Sequence, residues 1–408
     1  MNALADALAA LVRAQDVPGA AAAMFQQDRV IWTGAAGARR VGDGAGHGLA
    51  MTPDTKMRVA SISKLVTALL VHVLAERGAI DLDGDCSPLL GFELRHPVRP
   101  DAIITPRMLL SHTSGVRDGN DDAYQGVIGV ALADFFKAGS DHWHGGRHWA
   151  EDEVPVGYFC YSNLAMGLLA QMVERATHTR FDHLARNLVL DPIGSDAGFN
   201  WSGVAEDQVR NCATLYRCAP VSAGQKADWQ AQMDAAPENQ SRPIVHRRAG
   251  LSLDDYPIGS NGLVFSPQGG LRASVRDLAR IGAALGGSVP LLSATTRANM
   301  LSPVWQLQED GPDGDTDGGA FAAFGSGVHV LMPRHHSPIF GLKTPLVGHY
   351  GSAYGLLAGL WVEPRSGLGF VYVVNGTHAH LHQNPECGLT LVEQTLMQAA
   401  ARDLGLGR

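Results

Sequence analysis

Apolar and polar positions switch between two periods along this chain, and each switch marks an element. Met1-Asn2-Ala3-Leu4-Ala5-Asp6-Ala7-Leu8 opens an amphipathic helix that Val17-Pro18-Gly19 stops. Two β-rich stretches follow, Ala20 to Phe25 and Val30 to Ala36, with Gln26-Gln27-Asp28-Arg29 as a hairpin turn. A glycine-rich loop, Gly42 to Gly48, leads to a helix predicted from Ser61 to about Arg77. There Ile62, Leu65, Val66, Leu69, Leu70 and Val73 recur at helical spacing and require deep burial. Thr105 and Pro106, as N-cap and first-turn proline, open a short helix that runs into Ser111-His112-Thr113-Ser114-Gly115. Further helices are predicted from Leu164 to about Ala176, from about Ser274 to Leu285, and from about Leu389 to Ala401.

Three more β-rich runs lie at Gly327 to Leu331, Ala353 to Val362 and Gly369 to Asn375. From about Gly194 to Ser260 the pattern weakens into polar, proline- and glycine-interrupted sequence, read as loops and short helices over a site. Strands near both termini with helices between them predict an α+β fold. One sheet is assembled from the two ends and flanked by helices, and the middle of the chain forms a mainly helical lobe. No internal repeat is visible. A chain of 408 residues exceeds the usual single core, so one two-lobed unit is expected. Its α/β lobe would hold residues 1–80 and 265–408, and its helical lobe residues 81–264.

Composition narrows the function classes. A net charge of -8 provides no basic footprint, which argues against nucleic acid and anionic membrane surfaces as partners. No segment has the apolar length of a membrane span. Asp6 comes early, with no basic leader or cleavage signal, so a cytoplasmic location is expected unless an export signal has been removed. Five cysteines make no disulfide framework; Cys212 and Cys218 could close a small loop, but reduced thiols are expected.

Chemistry concentrates in three places. In Val59-Ala60-Ser61-Ile62-Ser63-Lys64-Leu65, a hydroxyl and an amine three residues apart share a helix face, within reach for proton transfer. Lys64 can activate Ser61 only if burial and nearby positive potential destabilise its ammonium. The helix start supplies that potential, and its free N–H groups can hold an oxyanion. Tyr161-Ser162-Asn163 precedes the Leu164 helix. The phenol can relay protons and the two-sided amide of Asn163 can bridge Lys64 and a substrate carbonyl, unless Asn163 merely caps the helix and Tyr161 packs. His349-Tyr350-Gly351-Ser352 ends a short β-rich run. Gly351 would let substrate approach an edge strand, the next N–H could complete an oxyanion hole, and His349 would be a donor or weak cation.

In this order the motifs resemble the serine β-lactamase and penicillin-recognising superfamily. The similarity is strongest to its branch of class C β-lactamases, DD-peptidases, D-aminopeptidases and esterases. Val17-Pro18-Gly19, Met57 to Lys64, Ile104 to Gly115, Gly269-Gly270-Leu271 and Gly348 to Gly351 all carry the resemblance, which covers nearly the whole chain. It implies Ser61 as nucleophile, Lys64 as proton acceptor and Tyr161 as the acid/base for leaving group and water. Asn163 would orient substrate, the N–H groups of Ser61 and Ser352 would form the oxyanion hole, and Ser111 to Gly115 would brace the floor. The chain departs from the family where class C β-lactamases carry Lys-Thr-Gly, because His349 holds a carboxylate less firmly than lysine. A serine hydrolase of small ester, amide or peptide-like substrates is therefore expected, needing no cofactor, with esterase, amidase or D-amino-acid peptidase ahead of β-lactamase or DD-carboxypeptidase. The alternative from another class is a silent ligand-binding or sensor protein; oligomeric state is open.

Other signals carry less. Asp313-Gly314-Asp315-Thr316-Asp317-Gly318 has the rhythm of a calcium loop, but Phe324 stands where the bidentate glutamate belongs, so a solvated acidic loop is expected. His378, His380 and His382 alternate, yet no carboxylate follows at metallo-hydrolase spacing. His142, His144 and His148, with Trp143 and Trp149, lie in a loop read as solvated or as a rim. No Gly-x-Ser-x-Gly elbow occurs, and Cys160 reads as a buried thiol.

Overall fold

In the computed structural model the described residues are 3–42, 48–119, 126, 128–151, 157–220, 227–236, 245–246, 251–308, 313–378, 383–384 and 386–406. The central sheet takes strands from both ends of the chain. These are β1 (Gly19–Gln26), β2 (Arg29–Arg40), β3 (Leu49–Ala50), β4 (Trp305–Gln306), β5 (Ala323–Phe324), β6 (His329–Leu331), β7 (Leu346–Ala353), β8 (Leu356–Val362) and β9 (Leu368–Val374). Their order is β4-β5-β6-β7-β8-β9-β1-β2-β3. The ends meet where β1 pairs antiparallel with β9, from Ala20 opposite Val374 to Gln26 opposite Leu368. This is the α+β fold with a sheet built from both termini.

The apolar run in β1 is explained by burial on both faces. Alternate residues point to opposite sides, so Ala21, Ala23 and Phe25 join the larger core while Ala20, Ala22 and Met24 join the smaller one. The smaller core also holds residues of α1 (Ala3–Arg13) and α6 (Leu391–Leu404). The larger holds those of α2 (Ser63–Glu76), α3 (Pro106–Leu110), α4 (Leu164–Thr177) and α5 (Val275–Gly286). Helix α2 is buried on all sides from Ser63 to Leu74, as its hydrophobic spacing requires.

Four sequence expectations need correction. Ser61 lies before the α-helix proper, in a 3-10 turn over Ala60–Ile62 that feeds α2. The chain reverses at Tyr354-Gly355, both in the left-handed region, so Ala353 closes β7 and β8 begins at Leu356. His349 therefore stands inside an eight-residue strand; the polar and glycine residues that serve its open edge had blurred the alternation. Part of the weakly patterned middle is sheet: Leu215–Cys218 pairs with Trp229–Met233 and runs parallel to Gly376–His378.

One buried ion pair anchors the approach to Ser61. Lys56 Nζ donates to Asp277 Oδ2 at 2.8 Å, with both side chains under 10% exposed. Asp277 also accepts from Ser274 N at 2.8 Å, Ser195 Oγ at 3.0 Å and Asp196 N at 2.9 Å, so its carboxylate joins three segments. Removing the cation alone leaves a buried charge unpaired, which costs about 3–5 kcal/mol. Lys56→Met should lower the unfolding free energy by about that much in urea titration. A loss within the scatter of ordinary surface substitutions would show that the pair anchors nothing.

Candidate active site

Ser61 reaches the cleft because the backbone is held on both sides of it. Ala60 adopts φ +46°, Val59 N donates to Leu271 O at 3.1 Å, and Ser63 Oγ accepts from Leu271 N at 3.0 Å. Ser61 itself is half-buried. From the first turn of α2, Lys64 Nζ lies 3.1 Å from Ser61 Oγ, 2.7 Å from Asn163 Oδ1 and 3.0 Å from Gln268 O. The amine also sits 4.7 Å from the ring centre of Tyr161. Lys64 is 1% exposed. Burial brings its pKa down to about 7, against the pull of Asp118 in the opposite direction.

Asn163 does not cap its helix. Its side chain makes no capping bond; instead Ser162 Oγ accepts from Ala165 N at 3.2 Å and Asp118 Oδ1 from Leu164 N at 2.9 Å. With the cap supplied by others, the amide is available to Lys64 on one side and to Asp118 Oδ2, at 2.8 Å from Nδ2, on the other. Tyr161 does pack, stacking on Phe321 at 5.1 Å between centroids, and His112 lies against it at 4.5 Å. His112 also ties this segment down through hydrogen bonds. Its carbonyl accepts from Cys160 N and its Nδ1 from Ser162 N at 3.1 Å.

His349 is a neutral ring and not a weak cation, donating through one nitrogen and accepting through the other. It is fully buried, and burial, with Lys64 adding to it, pushes its pKa down to about 3. Its Nδ1–H donates to Tyr350 O at 2.5 Å, which leaves the Nε2 lone pair to accept from Tyr161 Oη at 3.4 Å. Gly351 is where β7 presses on the turn that carries Ser61: a Cβ there would lie 2.4 Å from Val59 O and 3.4 Å from Ser61 N. Ser352 is exposed beside it. The sheet opens at this point, since β6 pairs with β7 only over Leu346 to Gly348.

The structure thus gathers Ser61, Lys64, Tyr161, Asn163, His349 and Gly351, with Ser352 next along the strand. Sequence reasoning missed Asp118 and the carbonyl of Gln268. An aspartate six residues past His112 was a signal of a kind, but a main-chain carbonyl leaves none. The acidic loop is not merely solvated. Asp313 O accepts from Phe159 N and Trp305 Nε1, and Asp317 Oδ2 accepts from Tyr350 Oη at 3.2 Å. His148 is buried rather than on a rim, its ring 5.4 Å from that of Phe135. His378 ends a strand, and His380 and His382 lie outside the described residues. Among the described residues no group of three or more His, Cys, Asp or Glu could hold a metal ion. All five cysteines are free, and no described helix is long and apolar enough to cross a membrane.

The Beta-lactamase family model matches residues 4–386, and the chain belongs to that family. It is 29% identical over 179 residues to penicillin-binding protein 4 of Amycolatopsis lactamdurans, covering 44% of this chain and 43% of that protein. It is 33% identical over 164 residues to esterase EstB of Burkholderia gladioli, covering 37% of this chain and 40% of that one. The match therefore spans about two-fifths of the length of these two relatives. D-amino acid amidase from Ochrobactrum anthropi SV3, solved with D-phenylalanine, superimposes with a TM-score of 0.67 at 18% identity, over 98% of this chain and 99% of that one. That likeness establishes a common fold, and the family is one of β-lactamase-related hydrolases.

The close approach at Gly351 generates a prediction. Gly351→Ala must push β7 off the Ser61 turn, and displacements near 1 Å cost about a hundredfold in rate. Labelling of Ser61 by a fluorophosphonate should slow by about that factor with far-ultraviolet circular dichroism unchanged. Labelling at the wild-type rate would mean that the strand has room to spare.

Proposed function

We propose that this protein is a metal-independent serine hydrolase that cleaves small carboxylic esters or amides, D-amino-acid amides among them, through an acyl-enzyme on Ser61. The observation that carries the proposal is the environment of the Lys64 amine. A neutral amine has two protons and one lone pair. Asn163 Oδ1 and Gln268 O, at 2.7 and 3.0 Å, are acceptors and take the protons. The lone pair is left for Ser61 Oγ at 3.1 Å, which is what a general base requires.

In the proposed sequence, Ser61 Oγ attacks the substrate carbonyl as its proton passes to Lys64. The oxyanion rests on the N–H groups of Ser61 and Ser352. Asn163 orients the substrate, and Tyr161, beside the amine, returns a proton to the leaving group. Water, deprotonated through the same pair, then releases the acid and restores Ser61. Neutral His349 offers no cation to a substrate carboxylate, which favours esters and amides that need no such anchor. Penicillin-type substrates, with an obligatory carboxylate, fit this site less well.

Mass spectrometry after fluorophosphonate treatment should place the adduct on Ser61. Ser61→Ala should lose at least about a thousandfold in turnover of p-nitrophenyl butyrate, as removal of an activated nucleophile does. Adducts elsewhere, or equal rates in the two proteins, would favour the silent binding protein; loss of activity in EDTA with recovery in zinc would favour a metal enzyme. A panel of nitrocefin, short acyl esters and D-alanyl amides separates the substrate classes.

The pH dependence has a definite sign. The amine must be neutral to act, so kcat/KM should be flat above the Lys64 pKa of about 7 and fall tenfold per unit below it. Lys64→Arg, permanently charged, should be inactive across the range. A profile with no acid limb between pH 5 and about 8 would remove Lys64 from the base role.

A further inference from the structure

Asp118 belongs to none of the three motifs, yet its carboxylate organises the one that holds Tyr161 and Asn163. Oδ1 accepts from Ser162 Oγ at 3.0 Å and from Leu164 N at 2.9 Å; Oδ2 accepts from Asn163 Nδ2 at 2.8 Å. The first two bonds close the start of α4, where free N–H groups and the helix dipole favour an anion. The third bears on the reaction.

A primary amide has a donor end and an acceptor end of nearly equal shape, so packing alone does not decide which faces where. A carboxylate decides it, because an ionised carboxylate only accepts. Nδ2 of Asn163 must face Asp118, and Oδ1 must then face Lys64 Nζ, where it lies at 2.7 Å. Were the amide reversed, an N–H would confront the amine, and the lone pair now free for Ser61 would be drawn to Asn163 instead.

We infer that Asp118 is a positioning residue of the reaction: it dictates which end of the Asn163 amide meets Lys64 and so keeps the amine aimed at Ser61. The inference rests on the hydrolase reading above, with Lys64 as base. A second effect accompanies it, since Asp118 supplies the negative charge that opposes the desolvation of Lys64. The other titratable groups around the amine are Tyr161 from the segment before α4, His349 from β7 and His112 from the floor. Both imidazoles are held neutral by burial, so Asp118 is the charge whose loss the amine would feel.

The test is Asp118→Asn, assayed with p-nitrophenyl butyrate and normalised to fluorophosphonate-reactive sites. An amide at 118 can donate to Asn163 Oδ1, which permits the reversed arrangement and removes the charge. The plateau of kcat/KM should fall by about ten- to a hundredfold. Its acid limb should move to lower pH, since Asp118 is the opposite charge that raises the Lys64 pKa. Asp118→Glu keeps the charge and the acceptor-only chemistry at a longer reach. It should leave the acid limb at the wild-type position while lowering the plateau.

A merely structural carboxylate would change the number of reactive sites, not the limb. Asp118→Asn with wild-type plateau and limb overturns the inference. If that variant does not fold, Asp118→Glu decides: a limb displaced although the charge is kept overturns it as well. These failures differ from failure of the hydrolase reading, which would show in the wild-type protein as no adduct on Ser61 and no effect of Ser61→Ala.

Discussion

Removing one amine from water is the constraint on which the rest of this site depends. Lys64 is enclosed between α2, α4 and the turn carrying Gln268, and its pKa drops from 10.5 to about 7. At about 1.4 kcal/mol per unit, that difference is on the order of 5 kcal/mol between the two protonation states. The folded protein carries this cost in full below about pH 7, and it fades as pH rises toward the value for an unfolded chain. Burial of the apolar majority of α2 and of the two cores offsets it. In exchange, the proposed mechanism has a base that is half neutral at neutral pH.

Burial alone would overshoot. With no partner an enclosed amine would be permanently neutral, too weak a base to take a serine proton effectively. Asn163 Oδ1, Gln268 O and, at one remove, Asp118 pull the other way by favouring the ammonium. The balance near 7 is thus a compromise between desolvation and a polar shell reached through one amide and one peptide carbonyl. His112 and His349 could have disturbed it, but a protonated imidazole next to Lys64 is disfavoured by burial and by Lys64 itself.

Local features of this design were legible in the chain; long-range ones were not. Ser61 and Lys64 could be paired because helical spacing puts residues three apart on one face, and that relation survives although Ser61 lies in a 3-10 turn. The α+β class followed from where strands and helices fall. By contrast, β7 could not be delimited, since His349, Gly351 and Ser352 answer to the cleft and not to the pleat. The ion pair of Lys56 with Asp277 joins residues 221 apart and has no local pattern. Asn163 was ambiguous between cap and ligand until the structure showed Ser162 and Asp118 doing the capping.

In the proposed function, His349 is the residue that redirects the chemistry of a shared scaffold. A lysine at this point of β7 would bring a second cation toward the first, and each would lower the pKa of the other. A neutral imidazole removes that repulsion. Because its Nδ1–H is committed to Tyr350 O, its Nε2 must accept, and the hydroxyl of Tyr161 is the donor at hand. The phenol is thus steered by an acceptor where a cation would have drawn it toward phenolate. Within the proposed mechanism Tyr161 gives its proton to the leaving group, while Lys64 takes the proton of Ser61. Under the proposed function, recognition of substrate rests on shape and on the edge of β7 beyond Gly348, as an esterase or amidase would use and a site built around a carboxylate would not.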